Sequence, residues 1–371
     1  MSEPLSLYVH VPFCRRRCPY CDFYSAACPG DAPDWYVSLI ESESRRWSAA
    51  LCGAGRSVHT FFVGGGTPSL LTSRQLRRVL RSVTESFPTN SPPAEFTVEC
   101  NPDSLDHEKA AVMAACGANR VSIGAQALDD PALARLGRIH SADQIARAVS
   151  VARGSGITNI NLDLLFGFPE QSLSSWTDTL NHALDLAPTH LSCYSLTLAP
   201  DTPFANLAKQ GALALPDEDQ QAEMADAAHD ILTGAGFLHY EISNYALPGH
   251  ECRHNLAFWH GADYVGLGPG STSCLSGVRW KVTLRGRSPV VQGEALSPDR
   301  RLRERAILAF RTSRGLARGD LTRLLGPEEA ARWLDRWHPL LSTHQDEYNT
   351  DRVALSARGM MVADEVVGSL L

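Results

Sequence analysis

LSLYVHVPFCRRRCPYCDFYS, residues 5–25, joins an apolar, aromatic run to three cysteines, Cys14, Cys18 and Cys21, spaced C-x3-C-x2-C. The run reads as a buried strand, so the cysteines fall in the loop at its C-terminal end. Thiolates are soft ligands that select iron-sulfur clusters or zinc. Three of them this close suit a [4Fe-4S] cluster that leaves one iron without a protein ligand. Tyr20, just before the third cysteine, offers a flat surface for an adenine ring. The competing reading is structural zinc, with Cys28 completing a tetrahedral thiolate set. Zinc knuckles usually ride on short turns, and the buried strand before this triplet favours the cluster.

Outward from the triplet, apolar strand-like runs alternate with helix-period stretches six times, the pattern of a parallel sheet built from βα units. The spacing predicts strands over 5–13, 58–64, 94–100, 120–125, 159–166 and 190–198. Helices are expected near 32–51, 72–86, 106–116, 141–154, 172–186 and 217–235, with Thr72, Asp106 and Ser141 as caps. Six units are too few for a closed eight-stranded barrel, so the expected fold is α/β, an open, partial barrel of six βα units. Its site belongs at the C-terminal ends of the strands, as in closed relatives.

Polar and glycine motifs gather at those ends. Strand two runs into FFVGGGTPS, where Gly64, Gly65 and Gly66 let the backbone approach a ligand and Thr67 with Pro68 sets the turn. Strand three ends in FTVECNPDS, placing Glu99 where it accepts from a ligand's ammonium or hydroxyls, or pairs with Arg120. Strand four supplies Gln126, suited to sugar hydroxyls, and twelve residues on comes Arg138, a fork for a carboxylate. Asp163 sits in the apolar run of strand five, where an acid is costly unless paired or facing a ligand. Cys193 and Thr197, near the end of strand six, are expected in core or rim packing. Tyr8, six residues before the first cysteine, is placed to reach one end of a bound ligand.

The ordered series C-x3-C-x2-C, GGGTPS, VECNP, VSIGAQ, a Gln/Arg pair, NLDLLFGFP and LSCYSLTLAPDTP resembles the oxygen-independent coproporphyrinogen oxidase group of radical S-adenosylmethionine proteins, over about residues 5–275. The resemblance implies a partial (β/α)6 radical-SAM barrel, a [4Fe-4S] cluster on Cys14, Cys18 and Cys21, and S-adenosylmethionine. Contacts to that ligand are implied for Tyr8, Tyr20, Gly64, Gly65, Gly66, Thr67, Glu99, Gln126, Arg138, Asp163 and Thr197. In an active relative an electron enters the cluster and the carbon-sulfur bond of S-adenosylmethionine breaks to leave a 5′-deoxyadenosyl radical. The decarboxylase branch of this group carries a further cysteine two positions beyond the third, where this chain has Phe23. CDFYS instead is similar to the haem chaperone branch, the HemW family. That branch shows a His-Asn-x-x-Tyr-Trp signature matched here by HNLAFW at 254–259, with Phe258 in place of tyrosine. The resemblance makes His254, Asn255 and Trp259 the haem candidates, with His250 and Cys252 behind them. It implies haem as ligand, a haem-acceptor protein, an electron donor such as flavodoxin or ferredoxin, and room for a homodimer.

With 371 residues, 44% of them hydrophobic, the chain can bury a large core and one smaller one. The expected division is a barrel over 1–240, a barrel-closing segment and linker over 241–299, and a C-terminal domain over 300–371. Within 241–299, YVGLGPGSTSCLSG reads as a glycine-rich loop closing the barrel's open side, and 283–299 as a linker. The last part is similar to the small, mainly helical, winged-helix-like C-terminal domain of the group. A net charge of −7 argues against a nucleic-acid face and leaves at most a peripheral membrane contact. No window reaches the ~18 to 20 apolar residues of a membrane span. Without a signal-peptide pattern and with ten irregularly spaced cysteines, a cytoplasmic setting is expected.

Overall fold

In a computed structural model of the chain, residues 5–87, 93–346 and 348–370 are described. The six expected strands form as β1 (Leu5–Val11), β2 (Val58–Gly65), β3 (Glu95–Cys100), β4 (Arg120–Gln126), β5 (Asn159–Phe166) and β6 (His190–Ser195), each parallel to the next. Their near-continuous burial, with Leu5, Leu7, Val9 and Val11 all at 1% exposure or less, is what helices packed on the outside and a lined interior impose on central parallel strands. The crossing helices start where their caps predict. Thr72 and Ser141 form reciprocal capping boxes with Gln75 and Gln144, and Asp106 accepts from the Lys109 amide.

The sheet is larger than six strands. After β6 come β7 (Leu238–Glu241), β8 (Asn244–Ala246), β9 (Asp263–Leu267), β10 (Thr272–Leu275), β11 (Val278–Arg285) and β12 (Ser288–Ala295). The order across the sheet is β12-β11-β10-β9-β1-β2-β3-β4-β5-β6-β8-β7. Two expectations are corrected here. The glycine-rich segment is not a loop: β9 pairs in parallel with β1 as a seventh parallel strand, and β10 turns back antiparallel to it. A Cβ at Gly266 would fall 2.4 Å from the Thr272 carbonyl, so the glycine marks a close strand approach, a contact that composition does not reveal. Nor is 283–299 a linker, since β11 and β12 form a hairpin in register from Val278↔Ala295 to Arg285↔Ser288. It reads as a linker because Pro289 and Gly293 lie on an edge strand exposed on both faces. Stacking of Trp280 on Trp47, centroids 5.4 Å apart, ties the hairpin to the helix Asp34–Gly53.

Residues from Pro298 onward build a second apolar cluster around Phe310, Trp333, Trp337 and Val353. The order is helix Pro298–Ala309, a two-residue strand, helices Arg318–Leu325 and Pro327–Trp337, then the paired strands Leu341–Gln345 and Asp351–Leu355, a winged-helix arrangement. It docks on β7 through backbone bonds from Ile242 N to Arg311 O and from Ser313 N to Tyr240 O.

Candidate functional site: two cavities that share a wall

Cys14, Cys18 and Cys21 lie half-buried around a cavity of about 330 Å³ at the C-terminal ends of the parallel strands. Thr67 Oγ1 approaches Cys14 Sγ at 3.6 Å and Arg138 Nη1 approaches Cys18 Sγ at 3.6 Å, so the sulfurs face donors that favour thiolate charge. Burial pushes the Cys14 and Cys21 thiols up, a cost that a bound metal centre offsets. Cys28 does not line this cavity, and its thiol lies 3.5 Å from the carbonyls of both Gly30 and Asp31, either of which can accept its proton. Among the described residues no three His, Cys, Asp or Glu side chains converge on a single-ion position. Three cysteine sulfurs round one cavity, with Thr67 and Arg138 beside them, are a donor set that fits a cluster with one iron free of protein ligands.

Around the same cavity stand Tyr20, Gly65, Gly66, Thr67, Glu99, Gln126, Arg138, Asp163 and Thr197. Gly65 has φ 108° and donates its N–H to Glu99 Oε2 at 2.9 Å, while a Cβ at Gly64 would lie 2.7 Å from that same oxygen. The triplet thus makes room for Glu99 as much as for a ligand, and Gly64 itself is not on the cavity wall. Burial, then the nearby Asp163, raises the Glu99 carboxyl to about 8. Asp163 accepts from Ser122 Oγ at 3.0 Å and from Asn161 Nδ2 at 2.8 Å, and burial raises it too. Arg138 is less free than its sequence suggests, since Nη2 already donates to Asn101 Oδ1 at 3.0 Å and Gly124 O at 2.9 Å. Gln126 holds a left-handed backbone, φ 67°, where β4 slips register against β5. The irregularity turns the end of β4 at the cavity wall that Gln126 lines.

A second, larger cavity of about 730 Å³ occupies the barrel lumen, touching β9 to β11 through Tyr264, Thr272 and Lys281 on one side and β6 through Ser192 and Tyr194 on the other. Both flanks of the sheet thus curl round one space. Asp22, Phe23, Gly65, Glu99, Ser122, Asp163 and Tyr194 border both cavities. His254, Asn255 and Trp259 line the lumen from the short helix Arg253–Trp259. Glu95 anchors that helix, accepting from Arg253 N at 2.7 Å, His254 N at 3.3 Å and Cys252 Sγ at 3.3 Å. His254 Nδ1 lies 3.0 Å from Thr60 Oγ1, whose own hydroxyl donates to Ser6 Oγ at 2.9 Å. Thr60 therefore accepts from Nδ1–H, leaving the Nε2 lone pair available to a metal. Burial lowers His254 to about 4, which keeps the ring neutral.

Tyr8 stands on the lumen wall and not with the cysteines, its hydroxyl 3.1 Å from His10 Nδ1 and its ring centroid 6.4 Å from that of His254. Cys193 and Cys252 are buried, and neither they nor His250 reach the lumen wall. Sequence reasoning missed Asn101, Ser122, Tyr194 and Glu95. Asn101 follows the Glu99 strand and was within reach of the strand-end rule. The other three act through contacts across the barrel, which no local pattern announces.

Residues 8–183 match the Radical SAM superfamily. The chain is 36% identical over 383 residues to "Heme chaperone HemW" of Mycobacterium tuberculosis (strain CDC 1551 / Oshkosh), covering 100% of this chain and 95% of that protein. It is 41% identical over 269 residues to the protein of that name from Escherichia coli (strain K12), covering 72% and 69%. For Bacillus subtilis (strain 168) the identity is 32% over 382 residues, covering 99% of each. Among solved structures, coproporphyrinogen III oxidase (HemN) from Escherichia coli superposes with a TM-score of 0.82 at 23% identity, covering 99% of this chain and 90% of that one, a likeness of fold. Among the described residues no helix is long and apolar enough to cross a membrane.

Proposed function

The chain belongs to the HemW family of the radical SAM superfamily, and from that premise we propose that it is a haem chaperone, holding a [4Fe-4S] cluster and S-adenosylmethionine in one cavity and haem in the next. The observation that carries the reading is the common wall. The three cysteines and the neutral, metal-competent His254 face adjoining spaces divided by Glu99, Asp163 and Tyr194.

Cys14, Cys18 and Cys21 hold the cluster, with Arg138 and Thr67 balancing the charge on the sulfurs. Tyr20 supports the adenine, Glu99 receives the ligand's ammonium, and Gln126 and Asp163 read the ribose. When bound, the cluster supplies electrons and an open iron, and the protein's share is placement and exclusion of water. In the lumen His254 offers Nε2 to the haem iron, its tautomer set by Thr60. The ligand is then passed to an acceptor protein.

Anaerobic iron and sulfide analysis with a haem titration tests this. Reconstituted protein should contain iron and sulfide and give a Soret band at about one haem per chain, weakened in His254→Ala. Protein that holds no iron, or shows no haem-dependent spectrum, defeats the proposal. The oxidative decarboxylation of coproporphyrinogen is the second reading, favoured by the shared fold and opposed by Phe23. Loss of substrate carboxylates on anaerobic incubation with S-adenosylmethionine and a reductant would establish it.

A further inference from the structure

The lumen is polar where it is deepest and aromatic where it opens. Ser6, Arg120, Ser122, Asn161 and Ser192 line its floor at 5% exposure or less, whereas Phe23 at 60% and Phe258 at 40% stand at its rim. Arg120 is the unusual member. Its side chain is 2% exposed, yet its only hydrogen bond among the described residues is a long one, from Nη1 to Thr97 Oγ1 at 3.5 Å, and Nε is buried without a partner. Half-buried Arg56, near the barrel's N-terminal end, also leaves Nε and Nη2 without partners, yet it has what Arg120 lacks, an ion pair, to Asp263 at 3.0 Å. Glu95 and Asp163 are near enough to act on the Arg120 charge. Both are otherwise engaged, Glu95 by the backbone of the short helix and Asp163 by Ser122 and Asn161, and neither forms an ion pair with Arg120 among the described residues. A guanidinium has five N–H donors in a planar fork that matches a carboxylate. Leaving such donors unfilled inside a protein is costly. The arrangement favours a ligand that brings an acceptor into the cavity.

Resting on the haem reading above, we propose that the lumen takes an iron tetrapyrrole carboxylate-first, one propionate arm reaching Arg120 at the floor while the apolar edge of the ring stays among the rim aromatics. The change from a polar floor to an aromatic rim suits a flat ligand with one anionic end. Recognition of the carboxylate is then a specificity element separate from ligation at His254. An apolar edge left at the rim is also the edge an acceptor meets first.

The test compares haem with haem dimethyl ester, titrated anaerobically into the cluster-loaded full chain. Wild type should bind the diacid at least about tenfold more tightly than the ester, the order expected for one charge-assisted pair. Arg120→Gln should lower affinity for the diacid to that for the ester and leave the ester unaffected, and Arg120→Lys should restore part of the difference. The wild-type comparison needs no variant, so a folding defect in Arg120→Gln cannot hide the answer. Equal affinities in wild type overturn the proposal. So does a preference for the diacid that survives in folded Arg120→Gln, which would place the carboxylate on another cation such as Lys281 at the rim. If neither compound binds, the haem reading itself fails, an outcome distinct from equal binding.

Discussion

Glu99 shows how much one buried carboxyl can regulate. Its ordinary value is 4.5, and burial with Asp163 alongside lifts it to about 8 in the fold. Because the folded value lies above the unfolded one, the stability tied to the neutral form is complete below about pH 4.5 and is lost as pH rises through about 8. Binding a cationic ligand through the carboxylate reverses the balance, since the proton must leave first. Affinity for S-adenosylmethionine should therefore rise between pH 6 and 8, by at most about tenfold per unit. Glu99→Gln should bind weakly with a flat pH profile. Calorimetry at pH 7 in two buffers of different ionisation heat counts the protons released, and a count of zero would contradict this assignment. The residue itself was legible in the sequence as an acid at a strand end. Its protonation was not, because that depends on Asp163 and Gly65, which lie 64 and 34 positions away along the chain.

At the scale of elements, the seven-residue helix that carries His254, Asn255 and Trp259 is too short to be stable by itself. Glu95 supplies what it lacks by accepting from its first two amides. Glu95→Gln should lower stability by about 1–3 kcal/mol, the cost of weakening a buried charged acceptor. Thermal denaturation would measure that loss. The same variant should bind haem more weakly through a displaced His254 while its S-adenosylmethionine titration stays at the wild-type value. A haem affinity equal to wild type would remove Glu95 from that positioning role. The six parallel strands and their capped helices were readable because period and cap are local. The hairpin β11–β12 was not, because an edge ribbon carrying proline and glycine has the composition of a loop and is held by pairing and by Trp47.

For the whole molecule, the barrel core of Leu5, Phe61, Val98, Ile123 and Leu164 is built without any cysteine of the triplet. Cys18→Ser should abolish the cluster's absorbance near about 400 nm and leave the far-ultraviolet circular dichroism and melting temperature of the metal-free chain unchanged. Collapse of that spectrum would mean that the cluster loop is part of the folding nucleus. A second apolar cluster around Trp333 adds an independent core. Trp333→Ala should destabilise that region by about 3–5 kcal/mol, and barrel-localised hydrogen-exchange protection should survive it.

Residue order alone was enough for the α/β alternation, the cluster loop and the motif series that marks the family, since each depends on neighbours within one strand, turn or helix. Tertiary structure decided how those pieces face one another: that Tyr8 belongs to the lumen, that Cys28 does not line the cavity of the three sulfurs, and that Glu95 holds a helix more than 150 residues distant. Charge, burial and hydrogen-bond partnership are properties of the enclosed space, and a chain acquires that space only when distant strands close around it.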